Sequence, residues 1–249
     1  MSSTDGLTDS VIGSPYKAAP PAVRRWWAAA VLAALGYGLF LAATAWRLPA
    51  GAVLTGQFWA QPVAKASMAV LLALAALSHP IARERRWLIA ALLLSAAGDF
   101  FLAIPWWPPA FVCGLGSFLL AHLCFLGALV PLRSRGNTAP VRLMLIAVVA
   151  AGFVGMVTRF WPALIAQNLT VPVVVYMTVL AAMVSAALLA RLPTVWTAVG
   201  AMLFAVSDGM IGVGRFMCES EALELPIWWA YAASMVLITA GLFFGRDRS

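Results

Sequence analysis

Eight apolar runs of about 20 residues, separated by short polar loops, constrain this chain more than any other feature of its sequence. A helix rises about 1.5 Å per residue, so about 20 apolar residues are needed to cross the roughly 30 Å hydrocarbon core of a bilayer. The predicted spans cover residues 26–46, 58–78, 87–104, 109–130, 143–160, 170–190, 195–215 and 226–245. The sequence therefore predicts an all-α polytopic membrane bundle of eight transmembrane helices.

The composition agrees with a membrane protein and excludes other classes. Hydrophobic residues make up 63% of the 249 residues and charged residues only 10%, whereas a soluble domain carries about 25% charged residues. The three cysteines are scattered without a CxxC spacing, so neither a disulfide scaffold nor a zinc site is expected. The net charge of +7 lies in loops between spans, so we expect membrane lipids as partners and no nucleic acid.

The distribution of basic residues predicts the orientation in the membrane. Residues 1–22 are rich in Ser, Thr, Asp, Gly and Pro and are expected to form a disordered cytoplasmic tail before a transmembrane domain of residues 23–249. Twelve of the sixteen Lys and Arg residues fall on the side of the termini, and three, Arg47, Arg159 and Arg215, fall on the other. The positive-inside rule then predicts cytoplasmic termini and a bacterial inner membrane.

Two segments recur at nearly the same interval. Residues 61–68 in span 2 resemble residues 171–177 in span 6, and residues 94–100 in span 3 resemble residues 204–209 in span 7. Two four-helix halves in parallel orientation fit this spacing, although apolar helices also resemble one another by chance. Such a repeat would place Asp99 and Asp208 at equivalent positions across a pseudo-twofold axis along the membrane normal.

Four ionisable residues fall within the spans: Lys65, Asp99, His122 and Asp208. Ionisable groups are costly inside a bilayer, so each is a candidate for function. Counting helical rise places Lys65, Asp99 and Asp208 in one layer, about 10 Å below the outer surface, with His122 roughly 10 Å deeper.

The hydroxyl-bearing residues Tyr176 and Ser117 fall near the same layer. Each feature also has a structural interpretation: Lys65 and Asp99 as an ion pair, Asp208 as a helix cap, His122 and the serines as packing residues. With His79 in a loop, we expect no metal site and no cofactor.

Two carboxyl groups in an apolar pocket disfavour each other's ionisation, while a nearby ammonium keeps one of them ionised. An arrangement of one protonated and one ionised carboxyl group suits general acid–base chemistry.

The residues in this layer carry a resemblance to a known family. The relevant segments are Lys65, residues 98–102 (Gly-Asp-Phe-Phe-Leu), residues 118–122, Tyr176-Met177, and residues 200–208 followed by Arg215-Phe216. On these motifs the chain resembles the YhhN family of eight-span membrane proteins, the lysoplasmalogenases. It departs from the family pattern in three places: Ala66 where the family tends to have Pro, Phe125 where it tends to have Tyr, and Ala232-Ala233 where it often has Ala-Gln.

The resemblance implies hydrolysis of the vinyl ether bond of a lysophospholipid drawn from the bilayer, giving a fatty aldehyde and a glycerophospho-base. Such a reaction begins with proton transfer to carbon and passes through an oxocarbenium ion, by analogy with glycosidases. We expect Asp208 to be the acid and Asp99, paired with Lys65, to be the ionised partner. Arg215 is expected to bind the lipid phosphate, with Tyr176, His122 and Ser117 also contacting the substrate.

Other functions use the same residue types. A proton-coupled small-molecule transporter also carries intramembrane Asp and Lys, and a repeat suits one. A retinal-type protein with Lys65 as Schiff base and a noncatalytic membrane scaffold are further alternatives. An enzyme turns over lipid in detergent without a gradient, whereas a transporter requires sealed vesicles.

Overall fold

The computed structural model describes residues 19–49, 51–133, 139–218 and 223–244. Within these ranges the chain forms eight α-helices and no β-strand, which confirms the predicted all-α fold and its helix count. The helices are α1 (Pro21–Arg47), α2 (Gln61–Leu77), α3 (Ala82–Leu102), α4 (Ala110–Leu129), α5 (Pro140–Ala166), α6 (Thr170–Leu189), α7 (Trp196–Val213) and α8 (Glu224–Phe243). The predicted tail, residues 1–22, lies largely outside the described residues, and α1 already begins at Pro21.

Six of these helices are long and apolar enough to cross a membrane by length and composition. The helix α2 has 17 residues and falls short of that length. The helix α3 begins with the charged segment Arg83-Glu84-Arg85-Arg86 and becomes apolar only after it. Such early charged turns explain why α3 starts five residues before its predicted span, because hydropathy marks the apolar part of a helix rather than its first turn. The chain is an integral membrane protein.

Both ends of the described chain lie at one end of the bundle. The ring of Trp27, near the start of α1, packs edge to face on Phe244 with centroids 5.3 Å apart. At the same end, Nε2 of His79 lies 3.0 Å from the carbonyl oxygen of Leu242. We call this the terminal end, and the opposite one the distal end.

Seven helices form a closed ring, and α5 lies outside it. The ring begins with α1 on α2, α2 on α3 and α3 on α4. It continues with α4 on α6, α6 on α7 and α7 on α8, and α8 closes it on α1. The helix α5 packs on α6 and on a π-helical segment, Gly214–Cys218, that continues α7. None of the most apolar stretch of α5 is buried, against 61% of the corresponding stretch of α8. The outer helix α5 is therefore the least anchored part of the described bundle.

The helix neighbours fit two four-helix halves with one exception. Under the predicted repeat, α1 corresponds to α5 and α8 corresponds to α4. The helix α1 packs closely on α8, whereas α5 makes no comparably close contact with α4. The space that this leaves among α4, α5, α6 and α7 is a cavity, and it holds the candidate site.

Candidate functional site

An apolar cavity of about 510 Å³ lies among α4, α5, α6 and α7. Leu, Val, Met, Phe and Ala side chains form nearly all of its wall, and only Tyr176 and Asp208 contribute side-chain oxygen atoms among the described residues. Val148 of α5 and Val206 of α7 line the cavity and are 56% and 52% exposed. Both valines lie in the middle parts of their helices, so the cavity opens sideways, at the depth of the lipid acyl chains.

Asp208 is held on the cavity wall by two neighbouring polar side chains. The phenolic hydroxyl of Tyr176 donates a hydrogen bond to Oδ2 of Asp208 at 2.5 Å. Nε2 of His122 lies 3.1 Å from the Tyr176 oxygen and 3.6 Å from Oδ2 of Asp208. We call these three residues the Asp208 cluster. They come from α4, α6 and α7, so the cluster exists only when the bundle is assembled.

The position of α7 is fixed by its close contact with α8. A Cβ atom added to Gly200 would lie 2.7 Å from the backbone oxygen of Ser234, so only glycine allows the two helices to approach this closely. The hydroxyl of Ser207 donates to the carbonyl oxygen of Ile227 across the same interface at 3.1 Å. Because Ser207 is hydrogen-bonded to α8, the next residue, Asp208, points to another side of α7, toward the cavity and α6.

The predicted depth of His122 is wrong. Residue counting places His122 about 10 Å deeper than Asp208, yet the two side chains lie 3.6 Å apart. Helical Cα–Cβ bonds lean toward the N-terminus. Because α4 runs from the distal to the terminal end and α7 runs the opposite way, the two side chains lean toward each other and close the gap.

Proton positions within the Asp208 cluster follow from its hydrogen bonds. Nδ1 of His122 is buried and has no hydrogen-bond partner among the described residues. A protonated Nδ1 would leave a buried donor unsatisfied, which is costly, so the neutral tautomer with its proton on Nε2 fits best. His122 then donates to Tyr176, and Tyr176 donates to Asp208. Oδ2 of Asp208 is thereby occupied, while Oδ1 makes no hydrogen bond to a described residue.

Asp99 belongs to a second polar cluster, away from the cavity. Asp99 is 1% exposed and does not line the cavity. Its Oδ2 accepts a hydrogen bond of 2.8 Å from the hydroxyl of Tyr231 on α8. We call Lys65, Asp99, Glu224 and Tyr231 the Asp99 cluster.

Lys65 forms its ion pair with Glu224 rather than with Asp99 among the described residues. The distance from Lys65 Nζ to Glu224 Oε2 is 3.7 Å. Asp99 still interacts with Lys65 and Glu224 electrostatically over a longer distance. The expectation of a direct Lys65–Asp99 pair is therefore corrected, because Glu224, in the first turn of α8, supplies a nearer carboxylate.

Aromatic rings separate the two clusters. The ring of Phe204 lies 4.7 Å from His122 on one side and 5.4 Å from Tyr231 on the other, measured between centroids. Phe118 also packs edge to face on both Phe204 and Tyr231. The two aspartates thus lie on opposite sides of an aromatic wall, and only Asp208 reaches the cavity.

Arg215 lies near the distal end of the cavity, in the π-helical segment. Its guanidinium lies over the ring of Phe111, 5.2 Å from the centroid. Phe111 lines the cavity, and so does Phe216, the residue after Arg215, although Arg215 itself does not. Short π-helical segments often mark functional sites. Arg215 is exposed and available to a group at the end of the cavity.

One other predicted site residue, Ser117, does not lie at the cavity. The hydroxyl of Ser117 bonds to the carbonyl oxygen of Cys113 in its own helix at 2.8 Å, and Ser117 does not line the cavity. The described residues contain no group of three or more His, Cys, Asp or Glu side chains that could hold a metal ion.

Sequence reasoning missed Glu224 and Tyr231. Both lie on α8, seven residues apart and therefore on nearly the same face. An acidic residue at the start of an apolar helix looks like an ordinary interfacial residue. The available signal was the spacing: Glu224 and Tyr231 repeat on one face, which the bundle buries.

The chain is similar to several known proteins. A lysoplasmalogenase of Mycobacterium tuberculosis (strain CDC 1551 / Oshkosh) is 55% identical over 99% of this chain and 96% of its own length. The human lysoplasmalogenase TMEM86B is 32% identical over 60% of each chain. No solved structure matches the chain. The model of the YhhN family matches residues 60–242, which include both polar clusters and the cavity, and the chain belongs to the YhhN family.

Proposed function

We propose that this protein is a lysoplasmalogenase, which hydrolyses the vinyl ether bond of lysoplasmalogens to a fatty aldehyde and a glycerophospho-base. The observation that carries the proposal is the carboxyl group of Asp208, the only one from the described residues on the wall of a largely apolar cavity that opens toward the bilayer. A lysoplasmalogen has one acid-sensitive bond between a polar head and a long hydrocarbon chain. The name lysoplasmalogenase of relatives 55% identical over nearly the whole chain supports the same function.

In the first step Asp208 acts as a general acid. Oδ1 carries the proton and transfers it to the vinyl carbon that is not bonded to oxygen. The electron pair of the carbon–carbon double bond forms the new C–H bond, and the ether oxygen shares its lone pair to give an oxocarbenium ion. The carboxylate left on Asp208 stabilises this cation at short range in a site of low polarity.

In the second step the same carboxylate acts as a general base. Asp208 takes a proton from a water molecule as the water oxygen bonds to the oxocarbenium carbon, which forms a hemiacetal and restores the acid. The hemiacetal then collapses: its hydroxyl loses a proton, its C–O bond to glycerol breaks, and the glycerol oxygen gains a proton. The net reaction consumes one water molecule and needs no other reactant.

Tyr176 and His122 position the carboxyl group for both steps. The hydrogen bond from Tyr176 occupies Oδ2 and leaves Oδ1 directed to the substrate. It also stabilises the carboxylate that forms after proton transfer, since hydrogen bonds to charged acceptors are stronger than neutral ones. His122 is fully buried behind Tyr176 and donates to its oxygen, so it acts through Tyr176 and not on the substrate.

The substrate reaches this site from the membrane. Its phosphate binds Arg215 near the distal end, and its vinyl ether lies about 10 Å deeper, beside Asp208. The excess of basic residues at the terminal end supports a bacterial inner membrane location with both termini in the cytoplasm. The headgroup then lies on the outer side of that membrane.

The test is hydrolysis by the purified protein in detergent, in heavy water. We expect a lysoplasmalogen to release a fatty aldehyde that carries one deuterium on the carbon next to the carbonyl group. Mass spectrometry of the aldehyde, trapped as a hydrazone, measures this label. The saturated 1-alkyl analogue is the matched control substrate, because it lacks the double bond and should not react. Absence of aldehyde, or aldehyde without the label, would contradict the proposed reaction.

A further inference from the structure

A second, smaller cavity continues the first one toward the terminal end. Its volume is about 210 Å³, and it is lined by α5, the end of α6, the start of α7 and the loop between α6 and α7. It therefore lies on the same side of the bundle as the candidate site. Its residues belong to neither polar cluster, and the proposed reaction does not use it.

The two cavities lie end to end along one interface. On α5, Val148 and Val149 line the first cavity and Leu145, one turn nearer the terminal end, lines the second. On α6, the first cavity reaches Ala181 and the second begins at Ala187. Both cavities thus follow the groove that α5 forms with α6 and α7.

One side chain, Met202 of α7, borders both cavities. It is the only residue in the described part of the chain that lines the two of them. Methionine is unbranched and has three rotatable bonds, so it changes conformation at low cost. The boundary between the cavities on α7 is therefore one flexible side chain and not a rigid wall.

The position of Met202 relative to Asp208 indicates what this boundary does to a bound substrate, and this inference rests on the proposed function. Met202 precedes Asp208 by six residues and lies about 9 Å nearer the terminal end, whereas Arg215 lies about 10 Å on the other side. A lysolipid with its phosphate at Arg215 and its vinyl ether at Asp208 directs its hydrocarbon chain toward Met202. A short chain ends before Met202, and a long chain must displace it.

We propose that Met202 is a chain-length gate: it closes the first cavity behind short alkenyl chains and swings aside to admit long ones into the second cavity. The bilayer is at least as apolar as either cavity, so a hydrocarbon chain gains little hydrophobic free energy on moving from the bilayer into them. Discrimination by chain length then depends on steric fit at the boundary.

Replacing Met202 with a smaller and a larger residue tests this role. Overpacking costs enough free energy to change binding by about fivefold or more. Met202→Ala should raise kcat/KM for long alkenyl chains about fivefold and leave short chains unchanged, whereas Met202→Phe should lower it about tenfold for long chains only. Met210→Ala is the matched control, because Met210 is on the same helix and lines only the first cavity. It should leave the ratio of long-chain to short-chain kcat/KM unchanged.

Binding of saturated 1-alkyl lysophospholipids separates this inference from the proposed reaction, because these lipids have no vinyl ether to hydrolyse. Competition with a fluorescent lysolipid in detergent should show, for each variant, the same change in chain-length preference that kcat/KM shows in hydrolysis. Loss of hydrolysis with this binding pattern retained would overturn the reaction and keep the gate. An identical chain-length profile in Met202→Ala, Met202→Phe and the parent protein would overturn the gate, and Met202→Leu, which conserves volume, checks that folding is intact.

Discussion

The hydroxyl of Tyr176 lies 2.5 Å from Oδ2 of Asp208, which makes it the shortest polar contact on the cavity wall among the described residues. In the proposed reaction this bond stabilises the carboxylate that forms when Asp208 gives up its proton, and it occupies one of the two carboxyl oxygens. Tyr176→Phe should therefore lower kcat about tenfold, the scale of one hydrogen bond to a charged group, with a smaller effect on KM. Steady-state hydrolysis of a lysoplasmalogen measures both constants.

Thr178→Val is the control for Tyr176→Phe. Thr178 lies two residues further along α6, and its hydroxyl bonds to the carbonyl oxygen of Val174 on the exposed side of the helix. The variant removes one hydroxyl from the same helix without touching the cavity and should keep the parent kcat. Equal values of kcat in Tyr176→Phe and Thr178→Val would show that the bond to Asp208 does not assist the reaction.

The two aspartates should respond differently to the same substitution. Asp208→Asn cannot donate the proton and should lower turnover at least about 10²-fold. Asp99→Asn keeps an oxygen that accepts the bond from Tyr231 and does not line the cavity, so its turnover should fall by less than about tenfold. Aldehyde release at matched amounts of folded protein measures both. A loss in Asp99→Asn as large as that in Asp208→Asn would bring Asp99 into the reaction.

The Asp99 cluster should contribute mainly to stability. Side chains of Lys65 and Glu224 are only 7% and 20% exposed, and removing one partner of a buried ion pair leaves the other charge without compensation. Lys65→Met should lower the free energy of unfolding by about 3 kcal/mol. Denaturation of the purified protein in mixed micelles measures this value. Arg159→Gln, at an exposed position, should change it by less than about 0.5 kcal/mol, and equal effects of the two substitutions would refute the structural role.

The phosphate-binding role of Arg215 predicts an effect on KM. Arg215→Ala should raise KM about tenfold for a lysoplasmalogen, because hydrogen bonds to a charged group are lost, while kcat changes less. A phosphate-free alkenyl glycerol should show no such rise. Arg47→Ala is the control at the same end of the bundle, since α1 does not line the cavity. A rise of equal size on both substrates would mean that Arg215 does not bind the phosphate.

The sequence is sufficient to predict the helices and to single out Asp208, which lies on the cavity wall in the structure. Apolar length and the cost of burying charge in a bilayer lead directly to eight helices and to Asp208, and the level of Tyr176 follows from helical rise. The partners of these residues are harder to predict, because they depend on which helices are neighbours. Lys65 pairs with Glu224 because α8 lies against α2, and no local pattern shows that contact.

Side-chain direction accounts for the error at His122. A count of residues measures the depth of a Cα atom, whereas the reacting atoms lie several ångströms away along the side chain. When two helices run in opposite directions, both side chains lean toward their own N-termini, so the two shifts add and shorten the distance between them. His122 and Asp208 therefore meet at 3.6 Å. The same lean should be included whenever intramembrane residues on antiparallel helices are compared.

The sideways opening between Val148 and Val206 has a consequence for enzyme kinetics. A cavity that takes its substrate from the acyl-chain region never samples the concentration in the surrounding water. The quantity that saturates such an enzyme is the fraction of membrane lipid molecules that are substrate. Adding inert phospholipid at constant total substrate therefore slows the reaction, as surface dilution, and an enzyme in the membrane responds to the local composition of its own bilayer.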